Sequence, residues 1–452
     1  MKISFWGGAQ SVTGANYLVE SGQTKIIIDC GLFQGSKFAE ELNYQKFNYN
    51  PAELQAVFVT HAHTDHMGRL PKLFKEGFRG EVFATEPTAG MIAVALPDNL
   101  SLMKDEARRD NHPPLYDQED VTGILTLFRP QKYYEPIKIS EDMTVTLFNA
   151  GHVLGSAIIE VIAEGKKLYF TGDLGNPPMP LLPQPDNLFE ADYVVMESAY
   201  GDRLHEDRES RRNILEDAIE DVFKRKGTLM IPSFAIERTQ EILFDLNGLV
   251  ENDRIPRLPI FIDSPLAIKI TEEYKKYQAY FNEVALDLIK AGDEIFDFPQ
   301  LKMTRSPAES KAINKVPGPK VVIAGSGMST GGRILHHEKM YLDDPNSIIL
   351  FVGYQVKNSL GRRILDGEKE VKIFGEHIFV KAEVRSVSGY SAHADQSQLA
   401  HWLMHVNEKK TVKRAFIVQG DEEASQSLAV HLRDKLLIDT VVPKPGESFE
   451  LD

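Results

Sequence analysis

The sequence predicts a mixed α/β protein, a β-rich domain interrupted by an inserted α/β domain built on a parallel sheet. Three observations carry this expectation. A β-rich style opens the chain and returns near Val371. Between the two, one unit of strand, small-residue loop and helix appears three times. The length, 452 residues, suits two or three domains of ordinary size.

The elements follow in order. KISFW, NYLVE, TKIIIDC and AVFVT are rich in Val, Ile, Phe and Tyr and are separated by Gly-containing turns, so they read as strands. Helical patterns follow around 66–76, 87–109 and 117–128. TVTLF, AIIEVI and KLYFTGD are strands with tight turns, and ADYVVMES is a further buried strand. From about Asp207 the style changes. RESRRNILEDAIEDVFKRKG has apolar residues at helical spacing. TLMIPSFAIERTQEILFDL, PIFIDSPLAIKITEEYKKY and VVIAGSGMSTGGRILHHEKM are the three repeated units. Strands alternating with helices imply a parallel sheet. SIILFVGYQ adds a strand, and EVKIFG and EVRSVSGY restore the β-rich style. SAHADQSQLAHWLMHV runs from loop into helix, RAFIVQG is a strand, SQSLAVHLRDKL a helix and DTVVP the last strand. The expected divisions are 1–205 and 371–452 for the two parts of the β-rich domain and 206–370 for the insertion.

Composition narrows the class. Hydrophobic residues make up 42% and charged residues 26%, as in globular proteins generally. The single cysteine, Cys30, excludes an intramolecular disulfide and a CxxC zinc site, and reads as a small buried apolar residue. MKISFWGGAQ lacks the apolar region of a signal peptide, and no apolar run is long enough to span a bilayer. A soluble, cytoplasmic protein without a membrane partner is expected. The net charge of −15 argues mildly against a general nucleic-acid binder. A local basic groove and bound metal can still carry phosphate contacts on an acidic protein.

The sharpest chemical signal is HAHTDH, directly after AVFVT. His61, His63, Asp65 and His66 offer four potential ligands within six residues. Neutral imidazole and carboxylate are the ligands zinc prefers. A strand end turning into a helix lets such side chains converge. This HxHxDH pattern resembles the metallo-β-lactamase superfamily, and two later motifs extend the likeness: GHVLGS with His152, and FTGDLG with Asp173.

The resemblance implies an αββα sandwich holding two zinc ions. By it, His61, His63, His152 and Asp173 bind one ion, and Asp65, His66 and Asp173 the other. Asp29, ending TKIIIDCG, matches the superfamily's first motif, where it supports a ligand histidine. The insertion narrows the likeness to the β-CASP group, which processes nucleic acids. The chain resembles the compact bacterial and archaeal ribonucleases related to the endonuclease subunit of the pre-mRNA cleavage and polyadenylation factor. The inserted domain is then a parallel-sheet β-CASP domain. Glu197 in VMESAYGDRLH and His393 in SGYSAHAD match that group's motifs A and B. The resemblance makes His393 the acid for the leaving oxygen, oriented by Glu197, with Asp65 catalytic as well. It assigns RNA backbone contacts to GSGMSTGGR and NSLGRR, for which Ser326, Ser329, Arg333 and Ser359 are the candidates.

One position departs from the pattern. Many ribonucleases of the group carry a third motif histidine after the last core strand, and this chain has Gln419 there. An amide oxygen is a poorer zinc ligand than imidazole. The second site is therefore expected to be weak or to take another divalent ion, with Gln419 at most a weak ligand. The implied function is metal-dependent hydrolysis of single-stranded RNA by a metal-bound hydroxide, leaving 5′-phosphate and 3′-hydroxyl ends, in RNA processing or decay. Internal and 5′-terminal cleavage both stay open, as do monomer and homodimer. The alternatives are a catalytically weakened RNA-binding or scaffold homologue and a small-molecule ester or thioester hydrolase.

Overall fold

The structure is a computed structural model and describes residues 1–35, 37–110, 113–205, 209–356 and 358–452. The chain divides into two compact units, 1–204 with 393–452, and 205–392.

The first unit is built on two seven-stranded sheets. Across the first sheet the strands are Ser448–Glu450, Lys2–Gly7, Asn16–Ser21, Thr24–Ile28, Ala56–Phe58, Glu81–Thr85 and Phe128–Gln131. Across the second they are Asp439–Val441, Arg414–Val418, Tyr193–Glu197, Lys166–Phe170, Ala157–Ala163, Met143–Asn149 and Ile137–Lys138. One core joins the two sheets. Phe5, Tyr17, Val19, Ile28 and Phe58 from the first pack with Val145, Leu147, Ile159, Phe170, Val195 and Phe416 from the second.

Pleat alternation sends the neighbouring residues outward. In Arg414–Val418, Phe416 and Val418 face the inter-sheet core, while Ala415 and Ile417 face helices Gln396–Val406 and Glu422–Leu436. Those helices answer with Leu399, Leu403, Leu428 and Leu432, all fully buried. Each such side chain contributes about 1.5–3 kcal/mol of burial. On the other side, helix Glu86–Asp110 covers strands Glu81–Thr85 and Phe128–Gln131. The layers are α, β, β, α, as expected.

The second unit holds a six-stranded sheet in the order Leu301–Met303, Ile260–Ile262, Lys320–Ala324, Thr228–Pro232, Ile348–Phe351, Glu383–Ser386. Every pairing is parallel. Three of its strands run into helices Arg238–Glu251, Pro265–Lys276 and Ile334–Tyr341, which are the three repeated units of the sequence.

Three expectations need correction. The return to the first unit comes at His393, not at residue 371. Val371 and Ile373 of the hairpin Glu370–Ile373/Glu376–Phe379 lie in the second unit's core, and Glu383–Ser386 extends that unit's sheet. The β-rich style near Val371 therefore belongs to the insertion. The start expected at residue 206 lies outside the described residues. DTVVP is not the last strand: Ser448–Glu450 follows it and pairs with Lys2–Ser4. The helix expected over 66–76 is two short helices, Thr64–Met67 and Leu70–Lys75. Among the described residues no helix is long and apolar enough to cross a membrane.

Candidate active site

The strands of the first unit deliver the chemistry at one edge of the sandwich. Asp29 follows Thr24–Ile28, His61 follows Ala56–Phe58, and His152 follows Met143–Asn149. Asp173 follows Lys166–Phe170, Glu197 closes Tyr193–Glu197, and Gln419 follows Arg414–Val418. Backbone bonds lock these strand ends together: Asp29 N–H donates to the Phe58 carbonyl, and Thr171 N–H to that of Val195.

His61, His63, His152 and Asp173 each offer one ligand atom, all within 4.8 Å of one another. His61 Nε2 lies 3.1 Å from His63 Nδ1 and 3.4 Å from Asp173 Oδ2. His152 Nε2 lies 3.3 Å from His63 Nδ1 and 3.6 Å from Asp173 Oδ2. A tetrahedral zinc ion with bonds of about 2.0–2.1 Å sets its ligands roughly 3.3 Å apart. The buried Oδ1 of Asp173 has no hydrogen-bond partner among the described residues. Burial pulls His61 well below its ordinary pKa, which keeps it a neutral ligand. The four residues therefore fit a cation.

Behind them stands a proton-holding network. Asp29 is fully buried and accepts from Thr60 N–H through Oδ1 and from the Thr60 hydroxyl through Oδ2, both at 2.8 Å. Having given its hydrogen to Asp29, the Thr60 oxygen is left to accept from Nδ1–H of His61, 3.0 Å away. Asp29 Oδ2 also accepts from His66 Nδ1 at 2.7 Å. Both rings are thereby set with Nδ1 protonated and the Nε2 lone pair facing the centre. The tautomers follow from the bonding pattern. The sequence pointed to Asp29 but missed Thr60; its place immediately before His61 was the available signal. Ser156 was missed as well. Its Oγ accepts from the backbone N–H groups of His152 and Val153 and so fixes that loop.

His393 Nδ1 lies 3.3 Å from Glu197 Oε2 and 3.8 Å from Asp173 Oδ2. Burial works against the charged ring, but the carboxylates of Glu197 and Asp173 outweigh it and lift His393 to about 9. Burial pushes Glu197 up. Its other oxygen accepts from Leu174 N–H at 2.5 Å, which fixes the carboxylate beside the metal cluster. His393 keeps 28% of its side chain exposed, whereas Glu197 is fully buried. The pair offers a proton donor open to a substrate and anchored from behind.

Asp65, His66 and Asp173 also meet: His66 Nε2 is 3.7 Å from Asp65 Oδ2 and 3.5 Å from Asp173 Oδ2. Gln419 joins them through its amide nitrogen, 3.1 Å from Asp65 Oδ2 and 2.9 Å from His66 Nε2.

The four candidates for RNA contact lie in the second unit, and their polar groups are engaged within it. Ser329 is buried, with its hydroxyl on Glu338. Arg333 donates to Asp263 Oδ1 at 2.6 Å and to the carbonyls of Thr304 and Arg305. Ser359 caps helix Leu360–Leu365 by accepting from Arg362 N–H. Ser326 accepts from the N–H groups of Thr330 and Gly331 and so closes its own loop. These side chains build the loops they sit on.

Comparisons with known proteins place the chain in a family. Residues 12–82 match the metallo-beta-lactamase superfamily, 239–364 the Beta-Casp domain, and 378–443 the Zn-dependent metallo-hydrolase RNA specificity domain. The chain is 40% identical to the ribonuclease TTHA0252 of Thermus thermophilus, over 94% of both chains. It is 30% identical to an RNase J-like protein of Methanocaldococcus jannaschii, over 98% of both. Identity to the transcription termination factor FttA of Methanosarcina mazei is 31%, over 97% of this chain and 70% of that one. A crystal structure of a protein of unknown function from Enterococcus faecalis shares the fold over 100% of this chain and 99% of its own, with a TM-score of 0.59 at 12% identity. The chain belongs to the β-CASP group of the metallo-β-lactamase superfamily.

Proposed function

We propose that this chain is a zinc-dependent ribonuclease that hydrolyses single-stranded RNA, leaving a 5′-phosphate and a 3′-hydroxyl. The observation that carries the reading is the joining of a four-ligand cluster to the His393–Glu197 pair through Asp173, which lies within 3.8 Å of His393. When bound, zinc supplies Lewis acidity that polarises a phosphoryl oxygen and makes water a nucleophile near neutral pH.

The protein's own groups handle the leaving oxygen. Nδ1 of His393 faces Glu197, which leaves Nε2–H as the donor. As the P–O3′ bond breaks, that proton passes to O3′, and the departing strand leaves as a 3′-hydroxyl rather than an alkoxide. Glu197 holds the ring in place and favours its charged form. Asp29 and Thr60 keep the lone pairs of His61 and His66 directed inward.

The match to an RNA specificity domain and the ribonuclease relatives support RNA as the substrate class. The test is incubation of 5′-labelled single-stranded RNA with zinc-loaded protein, with and without EDTA. Cleavage abolished by EDTA and restored by zinc is expected. Cleavage that persists without metal, or none at all, would sink the reading.

A further inference from the structure

Gln419 sits where a second metal ion would need its last ligand, and its orientation is fixed from several directions. Its backbone N–H donates to the Gly8 carbonyl at 2.6 Å. Its side-chain nitrogen lies 3.1 Å from the Val12 carbonyl, 3.1 Å from Asp65 Oδ2 and 2.9 Å from His66 Nε2. The Val12 carbonyl and the Asp65 carboxylate are acceptors only, so the NH2 end must face them. Turned over, the amide would set oxygen against oxygen at both places. The Tyr17 hydroxyl, 3.5 Å from Oε1, agrees with the same orientation as a weaker contact.

We infer that the Gln419 amide stands in for the second metal ion, so that the chain holds one ion tightly, at His61, His63, His152 and Asp173. An ion between Asp65 and His66 would face the positive end of an N–H bond, the amide's other hydrogen being directed at the Val12 carbonyl. To ligate it, the amide would have to turn over, losing its bond to Val12 and setting two oxygens in opposition. Asp65 is instead held by a hydrogen bond from the amide. This rests on reading the cluster as a metal centre, and deepens that reading by giving its stoichiometry.

The experiment is a metal count on the zinc-loaded full chain after dialysis against metal-free buffer, for wild type, Gln419→His and His152→Ala. Imidazole completes the second site, so the expected values are about one zinc per chain for wild type and about two for Gln419→His. His152→Ala should lose the wild-type ion. Two retained ions in wild type would overturn the inference and leave the metal reading intact. One ion in a Gln419→His chain that keeps the wild-type circular dichroism would also overturn it. No retained ion in wild type would defeat both. If Gln419→His does not fold, Gln419→Glu supplies an anionic ligand at the same place, and its count is read in the same way.

Discussion

Two histidine–carboxylate pairs in this chain differ in contact distance and in surroundings. In the first unit His393 lies 3.3 Å from Glu197, with 28% of its side chain exposed. In the second unit His337 Nε2 lies 2.8 Å from Asp263 Oδ2, and both are buried. Asp263 accepts four side-chain donors, from His337, Ser310, Thr304 and Arg333. Burial pushes it up, but those bonds outweigh burial and hold it at about 2. Glu197 instead is raised by burial and keeps one oxygen for His393. The pair whose carboxylate is spent on four donors inside the fold is structural. The pair with an exposed ring beside a metal cluster has a proton to give away.

The comparison can be broken from either side. His393→Ala should slow RNA cleavage by about 10²–10⁴-fold, the usual worth of a general acid. Its denaturation midpoint should move little, because Glu197 is already disposed to take up a proton. Asp263→Ala should do the reverse, costing about 3–5 kcal/mol of stability by leaving the buried His337 and the partly buried Arg333 without their carboxylate. Urea titration of the second unit's signal checks this. A midpoint close to wild type would remove the structural reading of the pair.

Acid titration sharpens the same contrast. The folded pKa of Asp263 lies below its ordinary 3.8, at about 2. Its contribution is therefore fully present above about 4 and lost as pH falls through about 2, a total on the order of 2 kcal/mol. Asp263→Asn should lack that part of the slope in stability measured against pH. Thr60→Val keeps the shape of the residue and deletes the hydroxyl between Asp29 and His61, so zinc affinity should fall about 10–100-fold while the fold stays intact. A competitive chelator titration gives the number.

A titration of opposite sign belongs to Glu338, a buried carboxyl raised by burial to about 8 despite the bond from Ser329. It prefers to stay protonated in the fold. The stability it lends is present below about pH 4.5 and is lost as pH rises toward and through 8. Glu338→Gln has no charge to bury, so it should remove the decline between about pH 4.5 and 8 and be at least as stable as wild type at pH 7.

Much of the fold and the site is legible in the chain because strand ends and ligands are local. HAHTDH follows its strand directly, and the repeated strand–loop–helix units announce a parallel sheet that the structure contains. The return point escapes the sequence because Val371 and Ile373 look like any half-buried strand, and only tertiary pairing decides which core receives them. Ser448–Glu450 escapes it because three residues with a single apolar side chain carry no periodicity. The roles of Thr60, Tyr17 and the Val12 carbonyl depend on atoms brought together across long sequence separations. The orientation of the Gln419 amide follows from those partners and cannot be read from its residue type.

The central claim is that His393 delivers the proton to the leaving 3′ oxygen, and a changed leaving group tests it most directly. RNA carrying sulfur in place of the bridging 3′ oxygen at one linkage departs as a stable thiolate and needs no acid. His393→Ala should cleave this linkage at close to the wild-type rate while remaining about 10²–10⁴-fold slow on ordinary RNA. If the variant is equally slow on both substrates, His393 is not the acid, and the proton reaches the 3′ oxygen by another route.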